Sequence, residues 1–250
     1  MTIGTALAIG AFTFFGCQSN PKSNKQNSSL TNTYWELVSM EGKSIDENVE
    51  KTKRGNTMNI CVFGASSTKL DKEYYTEAEA LGELIAQNGH TLIFGGGTDG
   101  LMGSSALGAE KHGGHIVGIA PKFFDEPDIL YKKTGELIFT DTMEQRKTLM
   151  LEKSDAFVAL PGGIGTFEEL FACITLKQLG RHSKPIVLVN TLNYYTPLFA
   201  LIENGTEKGF IGKDCAKLIK LVATPEEAMK YISEYTPVTG STKRICTYCQ

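Results

Sequence analysis

A chain of 250 residues has room for one full domain and an appendage, not for two full domains at about 150 residues each. Its 41% hydrophobic and 21% charged residues exclude the disordered and fibrous classes. A net charge of −3 supplies no basic footprint, so no nucleic-acid partner is expected.

The N-terminus differs from the rest. Residues 2–16, TIGTALAIGAFTFFG, are uncharged and apolar but too short to span a bilayer comfortably, and they read as a signal-peptide core. Phe14-Phe15-Gly16-Cys17 resembles a bacterial lipoprotein cleavage box, which makes 1–17 a lipoprotein signal with Cys17 as the lipid-bearing residue. Membrane contact is expected only if that box is used; otherwise the catalytic domain is cytoplasmic. Residues 18–33 are a polar Ser/Asn-rich linker. Tyr34-Trp35-Glu36-Leu37-Val38 and Gly42-Lys43 resemble the opening of a META-type lipoprotein domain, cut too short to bury a core, so 18–57 reads as linker and remnant.

From Met58 the pattern becomes regular. Short apolar runs occur at Ile60–Phe63, Thr91–Phe94, His115–Ile119, Leu137–Phe139, Ala156–Leu160 and Ile186–Val189, with a last one at Leu221-Val222. Between them lie helical segments, the first over 72–88 with Ala78, Leu81 and Ile85 on one face. Continuous apolar strands separated by helices predict a parallel sheet covered on both faces, a doubly wound α/β domain over 58–235 with a tail over 236–250. Ligands of such sheets bind at the carboxyl ends of the strands, where the glycines of this chain gather.

The first glycine loop, Gly95-Gly96-Gly97-Thr98-Asp99-Gly100, follows the second strand, and the third strand ends in Ala120-Pro121 without an acidic residue. That placement argues against a dinucleotide, and no G-x-x-x-x-G-K-[ST] is present for an ATPase loop. Two readings stay open: a phosphate or ribose contact at a helix N-terminus, or a tight turn needing positive φ. The second loop, Pro161-Gly162-Gly163-Ile164-Gly165-Thr166-Phe167-Glu168-Glu169, leaves a strand and enters a helix. Thr166 and Glu169 have capping-box spacing, which would put Glu169 in the first turn. A cap does not require the preceding glycines, which let a substrate approach the backbone. Phe167, Leu170, Phe171 and Ile174 form the apolar stripe of this helix, and Gly180 stops it.

Thr142–Met150 reads as a third helix start, with Met143, Arg146, Lys147 and Met150 on one face at 100° per residue. An inward Arg146 needs an anion, either a structural carboxylate or a ligand; the other reading is a stripe that is simply solvated. Cys17, Cys61, Cys173, Cys215, Cys246 and Cys249 have no framework spacing, and Cys246-x-x-Cys249 lacks a second pair or a nearby His, so no metal centre is expected.

Met143-x-x-Arg146-Lys147 and Pro161-Gly162-Gly163-x-Gly165-Thr166-x-x-Glu169 together resemble the LONELY GUY (LOG) family. Gly95-Gly96-Gly97-x-x-Gly100-Leu101-Met102-Gly103, Gln178-Leu179-Gly180, Lys184-Pro185, Tyr194-Tyr195 and Gly209-Phe210-Ile211 match it too. Its members are cytokinin riboside 5'-monophosphate phosphoribohydrolases, often mislabelled lysine decarboxylases. The resemblance implies a Rossmann-like fold, a homodimer and hydrolysis of the N-glycosidic bond of purine nucleoside 5'-monophosphates, either AMP or N6-modified AMP, without a cofactor.

It further implies that Arg146 and Glu169 are catalytic. Lys147, Gly162, Gly163, Ile164, Gly165, Thr166, Phe167 and Glu168 would bind the nucleotide, together with Gly95, Gly96, Gly97, Ser66 and Asp128. This chain departs from the family pattern at Glu144, usually His, at Leu176, usually aromatic, and at Asp128, usually Glu. The alternative is a non-catalytic carrier of a nucleotide or of molybdenum cofactor on the same scaffold, which would have no need for both Arg146 and Glu169.

Overall fold

In the computed structural model, residues 57–126 and 129–237 are described. The leader with Cys17, the segment up to residue 56, Asp128 and the pair Cys246 and Cys249 lie outside the described residues.

Seven strands form one parallel sheet: β1 (Asn59–Phe63), β2 (Thr91–Phe94), β3 (His115–Pro121), β4 (Glu136–Thr140), β5 (Ala156–Ala159), β6 (Ile186–Val189) and β7 (Lys220–Val222). Their order is β4-β3-β2-β1-β5-β6-β7. Each strand overlaps one of the apolar runs. In the inner strands β1, β2, β3, β5 and β6 the runs are continuous because a strand buried on both faces has no solvent side on which to alternate, whereas the edge strands β4 and β7 are partly exposed. Period two then divides the residues between two layers. Ile60 and Val62 of β1 point into one layer, Cys61 and Phe63 into the other.

The first layer is closed by α1 (Lys72–Gln87), α2 (Gly100–Lys111) and α6 (Pro225–Ser233), through Leu81, Ile85, Leu101 and Ile232 among others. The second is closed by α3 (Met143–Lys153), α4 (Ile164–Gln178) and α5 (Thr196–Glu207), through Met150, Leu170, Cys173 and Ile202. The doubly wound α/β expectation holds. The chain runs outward from β1 to β4, then returns to pair β5 with the free side of β1. This reversal falls between β1 and β5, and the carboxyl ends of strands at such a switch point are the usual ligand position in doubly wound sheets. Among the described residues no helix is long and apolar enough to cross a membrane.

As the sequence predicts, α4 ends at Gly180. That residue has φ +69°, its N–H donates to the Lys177 carbonyl at 3.0 Å, and the Arg181 N–H donates to the Leu176 carbonyl at 2.9 Å, a Schellman arrangement. One turn earlier the core contains an anomaly. Lys177 is fully buried, and its Nζ has no hydrogen-bond acceptor among the described residues; it lies 4.9 Å from the centre of the Tyr235 ring. Burial pulls its pKa down to about 8.

A base whose folded pKa is depressed costs the folded state most where both states are charged, below about pH 8. The cost fades as pH rises toward the unfolded value of 10.5. Lys177→Met should therefore stabilise the protein at pH 7 by about 1–3 kcal/mol, taking ~1.4 kcal/mol per pKa unit as an upper scale. The gap from wild type should shrink between pH 8 and 10.5. Urea unfolding of both proteins at pH 7 and pH 10 checks this.

Candidate active site

Arg146 is placed by the start of α3. The Thr142 hydroxyl accepts from the Gln145 N–H at 3.1 Å, and the Gln145 side chain accepts from the Asp141 N–H at 2.9 Å. This reciprocal cap fixes the phase of the first turn. It turns Arg146 and Met150 inward, while Met143 stays largely exposed and Lys147 half-buried. The predicted stripe thus holds at its inner end and opens to solvent at its first turn.

The Arg146 side chain runs beneath the ends of β3 and β2. Its Nε donates to the Ile119 carbonyl at 3.0 Å, and its Nη1 donates to Glu169 Oε1 at 2.7 Å. A Cβ on Gly95 would lie 2.3 Å from Nη2, so this glycine leaves the space that the guanidinium fills. Both side chains of the pair are nearly enclosed, 7% exposed for Arg146 and 10% for Glu169.

Glu169 arrives differently from the sequence expectation. Gly163, not Thr166, is the N-cap of α4, and no side chain caps it. Glycine is itself an acceptable N-cap, so the helix starts three residues earlier than the capping-box reading implies. Glu169 consequently falls in the second turn, facing inward with Thr166, Leu170 and Cys173. The apolar stripe is corrected for the same reason. The buried face includes two polar residues, Thr166 and Glu169, and this turns Phe171 outward to 42% exposure. Burial raises the Glu169 carboxyl above its ordinary pKa, and the Arg146 guanidinium opposes that rise without cancelling it.

The glycines sort into two groups. A Cβ on Gly162 would lie 2.1 Å from the Thr166 hydroxyl, and one on Gly100 would lie 2.2 Å from the Ala65 carbonyl and close to the Ser66 backbone. Gly96 and Gly100 both have positive φ. Packing and dihedral angle therefore account for Gly95, Gly96, Gly100 and Gly162, and the tight-turn reading explains most of the first loop. Gly163 and Gly165 are different: an added Cβ would meet nothing within 4 Å, and neither has positive φ. The fold does not require glycine at either place. Their amides belong to the first turn of α4, where N–H groups have no partner within the helix.

Around this turn, Lys147 forms an ion pair with Glu168 and lies 3.5 Å from Glu144. Ile164 is exposed, the Phe167 ring stacks against Tyr194, and Ser66 sits exposed in the loop after β1. Gly97 has room beside Met102, and its backbone bridges to Leu130. Two contacts were not legible as roles: Tyr194 Oη donates to the Gly162 carbonyl, and Tyr195 Oη donates to the Leu160 carbonyl at 2.7 Å. The adjacent tyrosines are visible in the sequence, but their acceptors lie over thirty residues away. Among the described residues no group of three or more His, Cys, Asp or Glu could hold a metal ion.

A buried acid of raised pKa beside a guanidinium, at the mouth of a glycine-rich helix start, is an arrangement for charge stabilisation and proton transfer next to a bound anion. Comparison with known proteins agrees in part. The family described as "Possible lysine decarboxylase" matches residues 102–232. In fold, the chain resembles the molybdenum cofactor carrier protein of Chlamydomonas reinhardtii (TM-score 0.56, 24% identity, covering 71% of this chain and 97% of that one). It also resembles the molybdenum cofactor binding protein of Rippkaea orientalis (TM-score 0.52, 22% identity, covering 72% and 96%).

Closer in sequence is the probable cytokinin riboside 5'-monophosphate phosphoribohydrolase LOGL2 of rice, Oryza sativa subsp. japonica, 42% identical over 179 residues that cover 71% of this chain and 73% of the relative. The phosphoribohydrolase LOG4 of Arabidopsis thaliana is 38% identical over 192 residues, covering 77% and 88%. With the glycine loops, the Arg146–Glu169 contact and the sheet order in place, these identities show that the chain belongs to the LOG family.

Proposed function

We propose that this protein hydrolyses the N-glycosidic bond of purine nucleoside 5'-monophosphates, AMP or N6-modified AMP such as cytokinin ribotides, releasing free base and ribose 5-phosphate. The observation that carries this reading is the enclosed Arg146–Glu169 contact, 2.7 Å long, beside a helix start with two glycines that the fold does not need. The names of the relatives support the reaction class.

Cleavage of a ribosyl–purine bond builds oxocarbenium character at C1′, which an ionised carboxylate stabilises while it orients or deprotonates the attacking water. Glu169 takes that role. Arg146 holds ribose or phosphate oxygens through its remaining donors and, against the effect of burial, favours the ionised form of the carboxylate. The 5′-phosphate on the α4 amides provides remote binding energy that positions C1′. No step needs a cofactor.

A molybdenum cofactor carrier is the second reading, motivated by the fold neighbours. Identities of 22% and 24% show the fold alone, and a carrier has no need for both Arg146 and Glu169 in contact. We also read the protein as a homodimer. Ile164 and Phe171, 83% and 42% exposed and seven residues apart, give α4 an apolar strip on one face that a second copy would cover.

Glu169→Gln and Arg146→Ala should each lower kcat/KM for AMP or N6-isopentenyl-AMP on the order of a hundredfold or more while circular dichroism stays native. Near-normal turnover by folded Glu169→Gln protein would remove that residue from the mechanism. Because Glu169 acts ionised and its pKa is raised, the acid limb of the wild-type pH–rate profile should have its midpoint above the ordinary carboxylate value of 4.5. A midpoint at or below that value would assign the limb to another group.

Nucleosides should be poor substrates. Removing the phosphate forfeits roughly 3–5 kcal/mol of transition-state stabilisation, allowing about 1.5–3 kcal/mol per charge-assisted bond with a discount for non-additivity. That amounts to at least about a hundredfold in kcat/KM between AMP and adenosine. Gly163→Val should erase most of this preference by blocking the backbone, and equal use of both substrates by wild type would assign the second loop to the fold alone.

A further inference from the structure

The turn between β5 and α4 has every carbonyl from 160 to 163 committed. Leu160 O accepts from Tyr195 Oη at 2.7 Å, Pro161 O from the Ala65 N–H at 3.0 Å, Gly162 O from Tyr194 Oη, and Gly163 O from the Phe167 N–H at 3.0 Å. In a trans peptide the carbonyl and the following N–H point in opposite directions. Tying Pro161 O back to Ala65 aims the Gly162 N–H the other way, and tying Gly162 O to Tyr194 aims the Gly163 N–H away from that ring.

The two tyrosines are themselves held by an unusual piece of backbone. Leu192 and Asn193, after β6, have φ of 50° and 63°, left-handed values that cost a non-glycine residue energy. That turn is secured by the Asn193 N–H on the Asn190 carbonyl and by the Tyr195 N–H on Asn190 Oδ1 at 2.7 Å. The Tyr194 ring stacks on Phe167 and meets the rings of Tyr74 and Tyr195 edge-on. The ring packing therefore survives loss of the hydroxyl.

We propose that Tyr194 is a positioning residue which, through the Gly162 carbonyl, presets the Gly163 amide at the start of α4 to receive the phosphate of the ligand; Tyr195 meets its ring edge-on and holds the Leu160 carbonyl, whose peptide runs into Pro161 and has no N–H to aim. The inference rests on the phosphate-binding part of the proposed function and deepens it. Tyr194 touches no reacting atom; it removes the need to order a glycine-rich turn when the anion arrives. Glycines that leave the backbone open to a ligand also leave it floppy, and the Tyr194 hydroxyl compensates for that.

The test is titration calorimetry of wild type and Tyr194→Phe with ribose 5-phosphate, at a temperature where circular dichroism shows both fully folded. Loss of one neutral hydrogen bond from a preset turn should weaken binding about three- to tenfold. Amide exchange at Gly163 should accelerate, while kcat at saturating AMP moves less than the binding constant. Tyr195→Phe, whose acceptor peptide has no N–H to aim, should stay within threefold of wild type, and an equal loss in that variant overturns the proposal; Tyr194→Leu, which also lacks the hydroxyl, decides the matter if Tyr194→Phe does not fold. A dissociation constant of the Tyr194 variant within threefold of wild type, or no binding of ribose 5-phosphate to wild type, overturns the proposal. If binding weakens as expected but wild type hydrolyses no purine monophosphate, the positioning role stands and the proposed reaction falls.

Discussion

The contact between Arg146 and Glu169 sets the conditions that the rest of the site satisfies. Two opposite charges almost without solvent must be matched in position and in remaining hydrogen bonds, because desolvation offsets most of their attraction. The guanidinium meets these demands through three separate elements: Glu169 on α4, the Ile119 carbonyl at β3, and the gap beside Gly95 after β2. Each depends on the strand order β3-β2-β1-β5, which brings residues 119, 95 and 169 to one edge of the sheet. A pair of this kind adds little net stability over an apolar one. Its chemistry, an acid held above its ordinary pKa yet next to a cation, is what the enclosure achieves.

Seen from that pair, the strands were the most legible part of the sequence. Ile60–Phe63 and Ile186–Val189 carry a pattern that burial on both faces produces directly; the second is β6 as it stands, and the first is β1 less one residue, Asn59, at its start. The start of α4 was less legible. An apolar count places the buried face on Phe167, Leu170, Phe171 and Ile174, whereas the actual face includes Glu169 and Thr166. Two polar residues turned inward mislead any reading that equates inside with apolar, and they do so at the site itself. The partners of Arg146 were legible only as a choice between carboxylate and ligand, since a 23-residue spacing says nothing about distance. Main-chain acceptors such as the carbonyls of Ile119 and Gly162 leave no trace in residue identity.

The glycines show how far composition alone can mislead. The run Gly95-Gly96-Gly97 suggests a ligand loop, but Gly95 makes room for an arginine and Gly96 adopts a dihedral that other residues resist. In the second loop the argument reverses. Gly162 is required by Thr166, while Gly163 and Gly165 occupy ordinary backbone with open space around them. A glycine that neither packing nor φ demands still carries the entropic cost of glycine near a helix end, roughly 0.5–1 kcal/mol in a helix interior. That cost is understandable where something outside the chain must reach the main chain.

Charge in the same corner explains why main-chain amides rather than a lysine would dominate anion binding. Lys147, the obvious cation for a phosphate, is already engaged by Glu168 and has Glu144 within 3.5 Å. The three together carry a charge of −1, so an arriving dianion meets no net attraction from them until those contacts rearrange. Glu144 adds to that cost. The amides of Gly163, Ile164 and Gly165 need no such exchange: they carry no formal charge, lie at the positive end of the α4 dipole and, with the Gly162 carbonyl tied to the Tyr194 hydroxyl and the Gly163 carbonyl to the Phe167 N–H, have little freedom to lose. An anion held this way is recognised mainly by geometry, which is the property needed if its far end is to be placed against Glu169.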